Sequence, residues 1–173
     1  MARLDYLLAS DDALIAQSEV DRYRASGPGG QHRNKTESAV RLRHKPSGTM
    51  AIGEDSRSQA ENKLHAVRRL RAAIALEVRE PVVLDGYAPS PRLAALVAGG
   101  TAPLGERTRR TGDYWAPIAE LLDLLVAGEL EIGTTALRLG ITTSALSRLL
   151  LHDERVARAV NDWRRLRNLR PLR

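Results

Sequence analysis

Gly27-Pro28-Gly29-Gly30-Gln31 sets three glycines and a proline around one glutamine. Such a run makes a loop, because glycine takes positive φ cheaply and lets a ligand come close to the backbone. A glutamine on that loop offers a backbone N–H and a side chain that both donates and accepts. Basic residues crowd the flanks: Arg22, Arg24, Arg33, Lys35, Arg41, Arg43 and Lys45, against the single acid Glu37. The combination suits a loop that places an amide beside a reacting bond in a polyanionic site.

Other chemistries find little support. There is no cysteine, which excludes disulfides and thiol catalysis. His32, His44, His65 and His152 are scattered, with no spacing suited to a metal, and no Ser-His-Asp or Cys-His pattern is recognisable. We therefore expect neither a metal nor a cofactor. The 173 residues carry a net charge of +6, mostly from arginine, with an isoelectric point near 10.3. That balance favours a polyphosphate partner, the plainer alternative being solvated arginines. No run is long enough to span a membrane. Asp5, Asp11 and Asp12 and the lack of an extended apolar stretch argue against a signal or transit peptide, so a cytoplasmic protein is expected.

The motif extends well past the glycines, from Arg24-Ala25-Ser26 through Gln31-His32-Arg33-Asn34-Lys35-Thr36. It continues in Ser38-Ala39-Val40-Arg41-Leu42, Lys45-Pro46-Ser47-Gly48, Ser56-Arg57-Ser58-Gln59 and Asn62-Lys63. In order and spacing, about residues 18–80 resemble the catalytic domain of class-I peptide chain release factors and their stand-alone relatives, the ribosome-rescue peptidyl-tRNA hydrolases. Arg33 replaces a usually small apolar residue, and Pro28 stands where alanine is common; both bear on loop geometry rather than chemistry.

The resemblance implies hydrolysis of the peptidyl-tRNA ester within the peptidyl transferase centre of the ribosome. It implies catalytic roles for Gly29, Gly30 and Gln31. The glycines permit close approach, the Gln31 N–H stabilises charge on the reacting oxygen, and the Gln31 side chain places water and screens out larger nucleophiles. Glutamine is no general base near neutral pH, so protons would move through RNA hydroxyls or water. The resemblance also makes Gln31 a candidate for N5-methylation by a dedicated glutamine methyltransferase. Ribosomal RNA contacts are expected from Arg24, His32, Arg33, Asn34, Lys35, Arg41 and Arg43. Arg57 and Gln59 either join them or brace the domain and cap its long helix.

A GGQ domain of this kind is α+β, a short antiparallel sheet with a covering helix, and the elements follow from the pattern. Ser10 can cap a short helix through Ala13, Leu14 and Ile15. Val20 to Ala25 reads as a strand running into the loop. Ser38 to His44 alternates, with Ala39, Arg41 and Arg43 on one face and Val40 and Leu42 on the other. Thr49 to Gly53 is the returning strand, with Met50 and Ile52 inward. Ser56 or Ser58 starts a helix whose stripe is Ala60, Leu64, Val67, Leu70, Ile74 and Val78. We expect a catalytic domain over 1–82, a linker over 83–91 and an all-α domain over 92–173.

In the second domain, Trp115, Ile118, Leu121, Leu122, Leu125 and Val126 form an apolar face, and Pro117 is tolerable in a first turn. Thr134 to Leu149 resembles a helix-turn-helix. Ala136 permits close crossing and Gly140 the turn, Leu139, Ile141, Leu146 and Leu149 fill the corner, and Thr142, Thr143, Ser144, Ser147 and Arg148 face outward. The last helix turns Val156, Val160, Trp163 and Leu166 inward. Ser147, Arg148, Arg164, Arg165 and Arg167 are its candidate RNA contacts.

The chain lacks a convincing codon-reading tripeptide. The leading expectation is thus codon-independent hydrolysis on stalled ribosomes. A nucleic-acid-binding regulator, using the helix-turn-helix beside a degenerate hydrolase domain, is the alternative, and a ribosome-bound factor without turnover is a third reading.

Overall fold

The computed structural model describes residues 2–23, 38–99 and 110–173. It contains a small three-stranded antiparallel sheet with helices, followed by a helical region. The chain divides into two compact units, Met1–Val78 with Arg110–Gly112, and Arg79–Arg109 with Asp113–Arg173.

In the first unit the sheet has the order β1-β2-β3, with β1 at Ser18–Tyr23, β2 at Ala39–His44 and β3 at Met50–Gly53. Ser18 pairs with His44 and Tyr23 with Ala39, while Val40 pairs with Gly53 and Arg43 with Met50. The expected alternation of β2 holds: Val40, Leu42 and His44 are buried, and Arg41 and Arg43 are exposed. Ala39 is buried too, although it shares the arginines' face.

The third strand differs from expectation. Met50 and Ile52 point outward, 52% and 37% exposed, and Ala51 and Gly53 point inward. Register forces this, because Met50 and Ile52 lie opposite the outward Arg43 and Arg41. The small residues face the covering helix, where space is short.

That helix is α3, Gln59–Glu77. Ser58 caps it, its hydroxyl accepting from the Glu61 N–H at 3.3 Å. Ala66, Val67, Leu70, Ile74 and Ala75 are buried beneath it, but Ala60 and Leu64 are exposed. The buried face begins instead with Asn62, while Val67, Leu70 and Ile74 lie on it as predicted.

Two short helices precede the sheet, α1 at Arg3–Leu8 and α2 at Asp11–Ala16. The second was expected, and Ser10 Oγ accepts from the Ala13 N–H at 3.2 Å. Buried Arg71 of α3 donates to the carbonyls of Leu7 and Ala9 and to the Asp11 carboxylate, the last at 2.6 Å. It thereby fastens the N-terminal segment to the core helix. His44 is fully buried, with Nδ1 2.7 Å from Ser47 Oγ and Nε2 3.1 Å from Gln17 Oε1. A neutral ring protonated on Nε2 satisfies both partners, and burial lowers the pKa of His44.

In the second unit, α4 is Pro91–Gly99, α5 Gly112–Ala127, α6 Ile132–Arg138, α7 Thr143–Leu151 and α8 Glu154–Leu166. Pro117 lies in the second turn of α5, not the first as expected. It has no N–H for the carbonyl four residues back; burial of Tyr114, Trp115, Ile118, Leu121 and Leu122 holds the helix through it. Within residues 83–91, Tyr87 and Ser90 are bound to α5 and the Leu84 carbonyl to Arg138 of α6. The Glu120 carboxylate accepts from the Tyr87 hydroxyl and the Ser90 N–H, both at 2.8 Å, and from the Ser90 hydroxyl. Arg79 pairs with Asp123 at 2.9 Å, and the Glu80 N–H donates to the same carboxylate.

Candidate functional site

Gly29, Gly30 and Gln31, with Arg24, His32, Arg33, Asn34 and Lys35, lie outside the described residues. What the structure describes is the frame around them. Tyr23 ends β1 and pairs with Ala39, which begins β2. The C-terminal end of β1 and the N-terminal end of β2 therefore lie side by side at one end of the sheet. The end of β3 comes to the same place, since Gly53 pairs with Val40.

Side chains at this end are tied together. The Tyr23 hydroxyl donates to Glu54 at 3.3 Å. Burial and the neighbouring Glu54 charge both raise the tyrosine pKa, keeping it neutral. Arg41 pairs with Asp21, its cross-strand neighbour, at 2.9 Å and lies 5.9 Å from the Tyr23 ring centroid. Both charges are half exposed, so the pair is worth about 0.2–1 kcal/mol. Arg43 is exposed beside Met50 on the same outer face.

The segment after β3 is held by α3. Arg69 donates to the Ile52 carbonyl at 2.7 Å and to Asp55 at 2.8 Å, and His65 Nδ1 is 3.1 Å from Asp55. The bond from Arg69 lowers the Asp55 pKa, with His65 adding to it. Arg57 is exposed in this turn. Gln59 is half-buried as the first residue of α3, next to the capping Ser58.

The sequence reading assigned no task to Asn62. Its side chain is fully buried and donates to the carbonyls of Ser38, at 2.8 Å, and Ser56, at 2.7 Å. Its Oδ1 accepts from the Ser56 N–H at 2.8 Å. The available signal was a polar residue on the face that also carries Ala66 and Leu70, because buried amides are hydrogen-bonded.

The second unit carries the remaining candidates. Between α6 and α7, Gly140 adopts φ of 68°, and the Ile141 N–H returns to the Ala136 carbonyl at 3.0 Å. Ala136, Leu146 and Leu149 are buried, while Leu139 and Ile141 are half-buried. Thr142 caps α7, its hydroxyl accepting from the Ala145 N–H at 3.1 Å. Thr143, Ser144 and Arg148 are exposed and Ser147 half-buried, which leaves a polar outer row as expected for a helix-turn-helix.

The three candidate arginines of α8 and its tail, Arg164, Arg165 and Arg167, are unlike one another. Arg164 donates to the carbonyl of Arg170 at 2.7 Å and to that of Leu130. Arg165 pairs with Asp162 at 2.6 Å. Arg167 is exposed. Leu166, expected inward, is 82% exposed. The helix ends there, and the tail turns back through Asn168 at φ of 58° to bond Asn161 through Leu172.

The RF-1 domain family model matches residues 14–82. Peptide chain release factor 1 of Chlamydia trachomatis serovar L2 is 34% identical over 161 residues, covering 84% of this chain and 42% of that protein. The proteins of the same name from Gluconobacter oxydans and Enterococcus faecalis are 41% and 36% identical, covering 60% and 75% of this chain and 27% and 37% of their own lengths. The chain spans less than half the length of these relatives.

Proposed function

This chain belongs, through residues 14–82, to the class-I peptide chain release factor family, and from that premise we propose that it hydrolyses peptidyl-tRNA on the ribosome. Gln31 is the residue we assign to the reaction. Its backbone N–H would stabilise the developing oxyanion and its side chain would place the attacking water, with Gly29 and Gly30 permitting close approach. The ribosomal RNA supplies the rest of the site and the path for the proton.

One observation carries this reading. The pairing of Tyr23 with Ala39 makes residues 24–37 a connection between adjacent strands. Both strands that flank the segment carrying Gly29-Gly30-Gln31 in the sequence belong to a sheet whose outer face bears Arg41 and Arg43. A rigid stem can deliver a small reactive loop into a narrow polyanionic cavity.

We further propose that release is codon-independent and takes place on stalled ribosomes in the cytoplasm. The polar row of α7 and the arginines at 165 and 167 would contact ribosomal RNA, and Gln31 would be the substrate of a glutamine methyltransferase. The α6–α7 corner is also what favours the alternative, a nucleic-acid-binding regulator. The two readings part in one assay: purified protein is added to ribosomes holding peptidyl-tRNA with a stop codon, a sense codon or no codon in the decoding site. Equal release from all three is expected. Release with the stop codon alone would make it a codon-reading factor, and release from none would favour the regulator.

A further inference from the structure

We propose that Asn62 is a positioning residue for peptide release, acting through Ser38, the last residue before β2. The inference rests on the hydrolase reading above. All the hydrogen-bonding capacity of the Asn62 amide group needed to join two backbone segments is in use: both segments are gripped by Nδ2, and the Ser56 N–H is received by Oδ1. Ser38 lies 24 residues away along the chain and Ser56 six. One side chain thus sets where the backbone rejoins the sheet relative to the turn that follows β3.

A second observation shows that the fold is built around this grip. A Cβ on Gly53 would lie 2.0 Å from the Asn62 carbonyl oxygen and 2.9 Å from the Ala66 nitrogen. Only a glycine lets β3 approach α3 so closely. Gly53 pairs with Val40, two residues past Ser38, so the approach brings Asn62 within reach of the Ser38 carbonyl. The turn itself is braced independently: Ser56 Oγ accepts from the Ser58 N–H at 3.0 Å and donates to the Glu61 carboxylate. The turn therefore serves as the fixed side, and Ser38 as the segment placed against it. An apolar residue would fill the space under the sheet but would strand two part-buried carbonyls and an N–H. One of the Asn62 bonds goes to Ser38, the residue immediately before β2, which gives this amide a consequence for function beyond packing.

The test uses the full chain with Asn62→Asp, Asn62→Ser and Asn62→Ala on ribosomes holding peptidyl-tRNA. Asn62→Asp keeps the shape and loses the donors. The serine and alanine variants are close in size and differ by one hydroxyl. Folded fraction is measured by circular dichroism, and release is expressed per folded molecule. For Asn62→Asp we expect a maximal release rate lower by roughly 100-fold, the scale of a misplaced reactive group, with the half-saturating concentration within about 3-fold of native. Serine is expected to release faster than alanine.

Native maximal rates per folded molecule in all three variants would overturn the proposal. So would failure of all three to fold, which would assign Asn62 to stability alone. If the native chain itself released no peptide, the hydrolase reading would fall and this inference with it; native release with unaffected variants would remove only the role of Asn62.

Discussion

A Cβ on Gly53 would stand 2.0 Å from the carbonyl oxygen of Asn62, a contact with backbone that no side-chain rotation relieves. Gly53→Ala must therefore push β3 away from α3. We expect a loss of about 3 kcal/mol, the upper part of the range for overpacking. Gly48→Ala is the comparison. Gly48 has φ of 72° with open space around it, so the cost there is left-handed backbone alone, roughly 1–2 kcal/mol. Urea denaturation of the two variants should rank Gly53→Ala as the more damaging, and the reverse order would contradict the close approach.

His44 makes the fold sensitive to mild acid. Burial holds its pKa below the ordinary 6.5, whereas in the unfolded chain it titrates near that value. Above pH 6.5 the ring is neutral in both states and stability is full. As pH falls below 6.5 the unfolded chain gains a proton that the folded one refuses, so stability drops until the folded pKa is passed. Denaturation at pH 7.5 and 5.5 should show this loss, and His44→Gln should show less of it. Equal pH dependence in the two proteins would exclude His44 as the cause.

The basic end of the chain should divide under mutation. Arg164 holds the carbonyls of Leu130 and Arg170, so Arg164→Ala should cost about 1–3 kcal/mol of stability. Arg167 is exposed, and Arg167→Ala should change stability by less than about 0.5 kcal/mol. Arg167→Glu should instead weaken ribosome binding and lower its salt dependence, since each phosphate contact releases counterions. Thermal melts and binding at two salt concentrations check both halves.

Much of the frame was readable in the sequence because local chemistry decided it. Ser10 and Ser58 act as helix caps as their types suggest, and the arginines of β2 alternate with Val40 and Leu42. Where a tertiary contact decided, the reading missed. Met50 and Ile52 look like a strand's inner face until register sets them opposite Arg43 and Arg41. Helix α1 carries no capping serine or threonine; the Asp5 carboxylate accepts from the Ala2 N–H at 2.9 Å, and Leu7 is buried. Leu166 has helical spacing with Val160 and Trp163, but α8 ends at that residue and exposes it. Arg164 looks like any other arginine of the tail, and only distant backbone carbonyls reveal its bracing role.

The most direct measurement is peptide release by the native chain and by Gln31→Ala on ribosomes holding peptidyl-tRNA, at saturating protein, with binding measured in parallel. In the sequence Gln31 belongs to a glycine-rich segment between Tyr23 and Ala39, so its loss is expected to spare folding and binding. We expect release to fall by at least roughly 100-fold, the scale of removing an oxyanion donor or a water-placing group, with affinity nearly unchanged. Release by Gln31→Ala at the native rate would contradict the assignment of the chemistry to this residue.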